Sequence, residues 1–184
     1  MRIIAGTYRS RVLVAPDGTA TRPTSDRLRE TLFNVLAPRI EGAAVLDLYA
    51  GSGAVGLEAM SRGAAQVTCV EHGKTARDAL WANIRKLGVE DAVRVVSASV
   101  ASYLARASGP WDIVFLDPPY DAENEYASTL QALGGVAADR LAADAAVIAE
   151  HRRKQRLEDR YGRLARTRLL EQGDAALSFY AVCG

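Results

Sequence analysis

Cysteine is scarce in this sequence: there are two, Cys69 and Cys183, and their spacing fits neither a metal site nor a disulfide framework. So few cysteines are typical of a reducing compartment. No stretch approaches the roughly 20 apolar residues of a membrane-spanning helix. The first residues also lack the apolar core of a secretory signal. We therefore expect a cytoplasmic protein that holds no metal and does not enter a membrane.

Net charge is nearly absent as well, at +1 for 184 residues, but its distribution is uneven. Residues 1–40 carry a net charge of +4 and residues 151–170 carry +6, whereas residues 41–150 carry −7. Such basic segments either attract a polyanion or simply form a solvated surface, and charge alone does not decide between them. The length and the 49% apolar content fit one globular unit.

Short apolar runs alternate with helical patterns from residue 43 onwards. This alternation predicts an α/β fold with a mostly parallel sheet and helices on both faces. The last two runs predict a C-terminal antiparallel hairpin over residues 163–170 and 175–182. Residues 1–23 predict a small N-terminal β-hairpin extension, and residues 24–184 the main domain. The strands of the parallel part are predicted at residues 43–48, 67–71, 93–96, 111–116 and 145–149.

A glycine-rich turn follows the first predicted strand. Gly51 and Gly53 let the backbone turn tightly and approach a ligand. Residues 51–56 read G-x-G-x-x-G, a string shared with dinucleotide-binding enzymes, and Glu71 at the end of the second strand can accept both ribose hydroxyls of an adenosine. Asp47 can meet the amino group of S-adenosylmethionine, whereas an anionic pyrophosphate needs no carboxylate there. S-adenosylmethionine is thus the predicted cofactor, with NAD as the rival.

The fourth strand ends in Asp117-Pro118-Pro119-Tyr120. Two prolines fix two φ angles and remove two N–H donors, so the loop offers only acceptors: the Asp117 carboxylate and the Pro118 carbonyl. These suit the two N–H bonds of an exocyclic base amine, whose nitrogen can then attack a methyl sulfonium. Tyr120 offers a ring on which a flipped base can stack. The loop therefore predicts methyl transfer to guanine N2 or adenine N6.

Together these residues resemble a known family, the bacterial 16S ribosomal RNA guanine-N2 methyltransferases of the RsmD type. The similarity covers essentially the whole chain, and its most specific piece is R-P-T-S-D-R-L-R-E at residues 22–30. The resemblance implies a class I methyltransferase with a Rossmann-like fold and a seven-stranded sheet, and it implies that S-adenosylmethionine is the cofactor. It also implies methylation of a guanine N2 in 16S rRNA within an assembled or partly assembled 30S subunit. We expect a monomer, and we keep an adenine-N6 methyltransferase on DNA or RNA as the alternative, with a non-catalytic RNA-binding assembly factor as a more distant one.

Three sets of site residues follow from the motifs and the resemblance. One position departs from the family pattern: Ser99 stands where an Asp usually contacts the adenine of the cofactor. The predicted catalytic residues are Asp117, Pro118, Pro119 and Tyr120. The predicted cofactor contacts are Thr24, Asp47, Ala50, Gly51, Ser52, Gly53, Glu71, His72 and Ser99. The predicted nucleic-acid contacts, several of them on the N-terminal extension, are Arg2, Arg9, Arg11, Arg22, Arg27, Arg152, Arg153 and Lys154.

Overall fold

The computed structural model describes residues 1–16, 25–119 and 122–183. Three predicted site residues, Arg22, Thr24 and Tyr120, lie outside this range. Within it, no helix is both long enough and apolar enough to cross a membrane.

The predicted alternation of strands and helices is confirmed. The helices are α1 (Asp26–Leu36), α2 (Ala54–Ser61), α3 (Lys74–Leu87), α4 (Val100–Arg106) and α5 (Glu123–Gly134), with 3₁₀ turns at Ala37–Arg39 and Ala138–Arg140. The strands are β1 (Ala44–Leu48), β2 (Gln66–Val70), β3 (Val93–Val96), β4 (Trp111–Leu116), β5 (Leu141–Arg152), β6 (Arg160–Tyr161), β7 (Leu164–Gln172) and β8 (Ala175–Val182).

The eight strands of the described residues form one sheet in the order β3-β2-β1-β4-β5-β8-β7-β6. The first five are parallel and the last three antiparallel, so the C-terminal hairpin is confirmed. The prediction of seven strands is one short, because the two residues of β6 pair with β7 at the edge of the sheet. The fifth strand is also longer than predicted, since it pairs with β4 on one side and with β8 along most of its length on the other.

Helices cover both faces of the sheet, as the apolar alternation predicts. On one face, α1, α2 and α3 pack against inward-facing side chains such as Val45, Phe115 and Ile148. On the opposite face, α4 and α5 pack against a second cluster that includes Leu46 and Leu116. Successive strand residues point to opposite faces, so each of these strands is buried on both sides.

The N-terminal segment, residues 1–14, folds back on itself beside α2 and α3. Only one bridge, Arg2 with Val12, has strand geometry. Further backbone bonds join Ile3 N–H to the Arg11 carbonyl at 2.9 Å and Ser10 N–H to the Ile3 carbonyl at 2.9 Å. The segment is therefore a narrow hairpin, with less regular pairing than the two β-prone runs indicate.

Contacts with α2 determine the path of this segment. Gly6 has φ +82° and lies so close to the backbone of Ser61 that an added Cβ would sit 1.8 Å from its carbonyl oxygen. The Ser61 hydroxyl donates to the Ala5 carbonyl at 2.5 Å and accepts from Tyr8 N–H at 2.9 Å. Only glycine fits this approach, which explains the glycine after the first apolar run.

Candidate active site

Four acidic side chains stand at the carboxyl ends of neighbouring strands. Asp47 belongs to β1 and Glu150 to β5, while Glu71 and Asp117 directly follow β2 and β4. Asp47, Asp117 and Glu150 are each two residues beyond a side chain packed among α1, α2 and α3, so the strand alternation directs all three towards that face. Ligands of open α/β sheets bind in the crevice outside the carboxyl ends of the strands, which we call the sheet edge of the site.

The glycine-rich turn has the backbone geometry that the sequence predicts. Gly51 and Gly53 have φ angles of +56° and +82°. A Cβ at Gly53 would lie 2.3 Å from Leu80 Cδ1, whereas a Cβ at Gly51 would meet no described atom within 4 Å. Gly53 is thus favoured by its positive φ and by its close approach to Leu80 of α3, while Gly51 faces open space in which a ligand can approach the backbone.

Asp47 and Glu71 hold this turn in place. The Asp47 Oδ2 atom accepts the N–H of Gly56 at 2.9 Å. The two oxygens of Glu71 accept the N–H groups of Gly51 at 2.9 Å and Gly73 at 2.7 Å. Each carboxylate oxygen has two acceptor sites, so both groups keep capacity for a ligand. The bonds they already make were not part of the sequence prediction.

The environment of Asp47 is unfavourable to its charge. The residue is 2% exposed. Burial raises the pKa of Asp47 to about 7, with a smaller contribution from Glu71 and an opposing one from the Gly56 hydrogen bond. Near neutral pH this carboxyl is therefore present in both its protonated and its ionised form, and a cationic ligand group beside it would favour the ionised form.

Asp117 is in a still more unfavourable environment. Burial raises the pKa of Asp117 well above its usual range, and the charges of Glu150 and Asp47 raise it further. Pro118 is buried and Pro119 is exposed. The Tyr126 hydroxyl lies 3.5 Å from the Pro118 carbonyl, at the outer limit of a hydrogen bond. The two predicted acceptors thus stand at the sheet edge beside the glycine-rich turn.

The remaining predicted cofactor contacts differ in their surroundings. Ser52 and Ala50 are buried within the turn, and the Ala50 N–H bonds the Val70 carbonyl at 3.0 Å. The His72 side chain is 74% exposed, with Nδ1 3.8 Å from Glu71 Oε1. Ser99 caps α4, because its hydroxyl accepts the Ser102 N–H at 3.2 Å. Its contact with a cofactor remains a prediction.

The predicted basic contacts fall into two groups. Arg2, Arg9 and Arg11 are exposed on the N-terminal segment, where Arg2 also lies 3.6 Å from Asp26. A second group surrounds a cavity of about 640 Å³ between the start of α1, the end of β5 and the turn from β7 to β8. Among the residues that the structure describes, the basic ones lining that cavity are Arg27, Arg152, Arg153 and Lys154.

Three residues in and around the site were not assigned roles from the sequence. Glu150 lines the same cavity and is 2% exposed; the strand-end rule that selected Asp47 and Glu71 applies to it too. Tyr49 has φ +62°, and its hydroxyl bonds Glu125 at 2.5 Å and Thr129 at 2.7 Å. Arg29 is fully buried, which no pattern in the sequence signals.

Comparisons of the sequence and of the structure with known proteins both find relatives that cover most or all of this chain. The family model described as "Conserved hypothetical protein 95" matches residues 1–181. The Ribosomal RNA small subunit methyltransferase D of Escherichia coli (strain K12) is 49% identical over 120 residues, which cover 65% of this chain but only 60% of that protein. The YlbH protein of Bacillus subtilis (strain 168) is 33% identical over 188 residues, covering 98% of both chains. Among solved structures, the yhhF protein of Escherichia coli superposes with a TM-score of 0.88 at 37% identity, covering 100% of this chain and 98% of the other.

Proposed function

The chain belongs to the family described as conserved hypothetical protein 95, and from this premise we propose that it transfers a methyl group from S-adenosylmethionine to the N2 amine of a guanine in 16S ribosomal RNA. The observation that carries the proposal is the acceptor pair Asp117 and Pro118 at the same sheet edge as the glycine-rich turn. The Escherichia coli relative is named for small-subunit ribosomal RNA methylation. An adenine-N6 activity is not favoured by that relationship.

The residues of the turn fit S-adenosylmethionine as the cofactor. Open space at Gly51 allows the ligand to approach the backbone, and the spare acceptor sites of Glu71 suit ribose hydroxyls. Asp47 would hold the amino group of its methionine part. When bound, this cofactor supplies an activated methyl group on a sulfonium. Glu71 therefore positions the adenosine end, and Asp47 the amino acid end.

Asp117 and Pro118 would orient the base amine. Each accepts one of its N–H bonds, so that the nitrogen lone pair is directed towards the methyl group. The raised pKa of Asp117 suits it to take up a proton as the amine loses one, because its protonated form is stabilised by burial and by the nearby carboxylates. The orientation role needs the ionised form, so we expect activity to rise with pH. Tyr120, outside the described residues, is proposed as a stacking surface for the base.

Two basic regions would hold the RNA. The exposed arginines of the N-terminal segment extend from one side, and the basic rim of the cavity forms the other. We propose that residues 1–23 act as an RNA-contacting extension of the catalytic domain over residues 24–184. The substrate would be an assembled or partly assembled 30S subunit, and the enzyme a monomer acting in the cytoplasm without a metal.

The test is a methylation assay on undermethylated 30S subunits and duplex DNA with labelled S-adenosylmethionine. We expect label in guanine of 16S rRNA, identified as the N2-methyl product by mass spectrometry of the nucleosides. Label in adenine or in DNA would contradict the proposal. Calorimetry with S-adenosylhomocysteine and with NAD separates the cofactors, and binding of NAD alone would remove the methyltransferase assignment.

Two matched variants test the proposed RNA-binding surface at the cavity rim. Arg153 lines the cavity, whereas Arg156 is exposed three residues further on and does not line it. Arg153→Ala should reduce the slope of log affinity against log salt by roughly 0.7–0.9, the loss of one phosphate contact. Arg156→Ala should leave the slope unchanged. Equal slopes for both variants would place the phosphate path elsewhere.

A further inference from the structure

The cavity beside α1 combines a basic rim with an acidic residue in its wall. Its volume of about 640 Å³ lies within the range of small-ligand pockets and accommodates a nucleotide. Arg27, Arg153 and Lys154 are exposed around it, whereas Glu150 is 2% exposed. A pocket that only bound phosphate would gain nothing from a carboxylate, which repels phosphate. Within the protein, the charge of Glu150 also acts on the buried Arg29. A ligand that contacts both the rim and this wall would need an anionic backbone and a hydrogen-bond donor.

Strand register places this carboxylate beside the proposed reaction centre. Leu116 of β4 pairs with Ala149 of β5, so the residues that follow them, Asp117 and Glu150, are neighbours across the two strands. Adjacent strands are about 4.8 Å apart. Both side chains point to the face covered by α1, and the charge of Glu150 acts on Asp117 more strongly than that of Asp47 does. A base whose amine is held by Asp117 would thus have its next edge atom within reach of Glu150.

The donor pattern of the purines decides which base fits. Guanine carries N1–H directly beside its N2 amine, so its Watson–Crick edge presents adjacent donors. Adenine carries an unprotonated N1 beside its N6 amine, so the atom next to the amine is an acceptor. A carboxylate accepts a hydrogen bond from the N1–H of guanine, whereas it repels the lone pair on N1 of adenine. Flipped bases are read along this edge.

We propose that Glu150 is the specificity-determining residue of the site, whose carboxylate accepts the N1–H of the target guanine and excludes adenine. This inference rests on the proposed function, since it takes Asp117 as the group that holds the amine. Buried polar groups built for a donor reject a ligand that lacks it far more strongly than an apolar pocket rejects a missing methyl group. The rim of Arg27, Arg153 and Lys154 would meanwhile hold the flanking phosphates.

The decisive variant is Glu150→Gln, which keeps the shape of the side chain but replaces one acceptor by an N–H donor that can bond adenine N1. Wild type and variant are assayed on 30S subunits carrying the mapped target guanine and on subunits with adenine at that position. Methyl transfer to each base is measured by mass spectrometry. We expect wild type to methylate guanine alone. The variant should lose about 100-fold on guanine and gain measurable transfer to adenine. Because the readout is the ratio of two products from one preparation, it does not depend on the folded fraction.

Each result has one meaning. A guanine-to-adenine ratio in Glu150→Gln equal to that of wild type overturns the role of Glu150 while leaving the proposed function intact. Loss of transfer to both bases with normal S-adenosylhomocysteine binding also overturns it, because Glu150 would then serve catalysis in general. If Glu150→Gln does not fold, Glu150→Asp retains the acceptor and must keep guanine selectivity; loss of that selectivity counts against the proposal. Failure of wild type to methylate the 30S subunit overturns the proposed function itself.

Discussion

Two groups of acidic residues lie on the same side of the sheet, and their surroundings are opposite. Glu58 of α2 is fully buried and accepts Ile4 N–H at 2.7 Å, Ala5 N–H at 3.0 Å and Arg62 Nε at 2.7 Å. Asp117 is surrounded by other carboxylates, and every contribution to its pKa shift disfavours its charge. Donors around a buried carboxylate indicate anchoring, whereas acidic neighbours indicate a site that awaits a cation or a donor.

The anchoring group extends to Arg29, which joins three parts of the chain. Its Nη2 atom donates to the Arg2 carbonyl at 2.5 Å and to Asp26 at 2.9 Å, and its Nε lies 3.8 Å from Glu58 Oε2. The N-terminal segment is thus tied to α1 and α2 through one buried ion pair. Its exposed arginines project from a fixed base, which suits the RNA-contacting role that we propose for this segment.

The largest expected effect separates function from stability at Asp117. Asp117→Asn should reduce methyl transfer by roughly 10²–10⁴-fold, because the carboxylate acceptor is lost. It should also raise the melting temperature at pH 8, by about 2–4 °C for each kcal/mol of relieved repulsion. Assays and thermal melts measure both. The exposed Asp144→Asn is the matched control, with neither change expected. A variant that is both inactive and less stable would refute the conclusion that the surroundings of Asp117 disfavour its charge.

The opposite result is expected at Glu58. Glu58→Ala leaves Arg62 Nε and two backbone N–H groups without their acceptor and removes the opposite charge beside the buried Arg29. The free energy of unfolding should therefore fall by about 3–5 kcal/mol. Chemical denaturation measures the loss. Molecules that remain folded should bind S-adenosylhomocysteine with normal affinity, since Glu58 belongs to the anchor. Glu30→Ala, at an exposed position of α1, is the control and should change stability little. Loss of cofactor binding with unchanged stability would reverse the two roles.

The pH dependence tests the same contrast without a mutation. An aspartate in the unfolded chain releases its proton near pH 4, whereas Asp47 in the folded protein retains it to about pH 7. Between these values the folded state binds more protons, so the stability contributed by this group is present at low pH and is lost as pH rises to about 7. The slope is about 1.4 kcal/mol per pH unit for each proton.

Two measurements separate this effect from the other titrations of the chain. Asp47→Asn should flatten the fall in the free energy of unfolding between pH 4 and 7. Methyl transfer by the wild type should rise over the same range, as the carboxylates ionise. Activity that falls with rising pH would contradict the proposed role of Asp117 as an acceptor.

Sequence patterns alone predict some residues of the site and of the anchoring group, but not others. The glycine-rich turn and the Asp117 loop were predictable because strand ends and glycine spacing follow from local periodicity and backbone geometry. Glu150 was accessible by the same rule, although its partners across β4 and β8 depend on register. Arg29 and Glu58 were not, because their burial arises only when the N-terminal segment docks against α1 and α2. Strand β6, with two residues, is too short to leave a periodic signal.

The smallest expected effect concerns Tyr49, which links the two halves of the site. Its backbone has φ +62°, which costs a non-glycine residue roughly 1–2 kcal/mol. Its hydroxyl bonds Glu125 and Thr129 of α5, the helix that follows the Asp117 loop. Tyr49→Phe removes these bonds and keeps the strained backbone, so it should lower stability by about 1 kcal/mol. It should also weaken S-adenosylhomocysteine binding several-fold, because the turn is no longer held to α5.

Tyr49→Gly is the comparison that identifies the cause. Glycine adopts the positive φ without strain, but it also loses the ring that packs against the second core cluster, so Tyr49→Gly should be less stable than Tyr49→Phe. Cofactor binding should be as weak as in Tyr49→Phe, because the same tether is absent. Denaturation and calorimetry on the two variants measure these terms separately. If Tyr49→Phe binds the cofactor as tightly as wild type, the tether to α5 does not position the turn. Tyr49 would then belong with Glu58, among the groups that only hold the fold together.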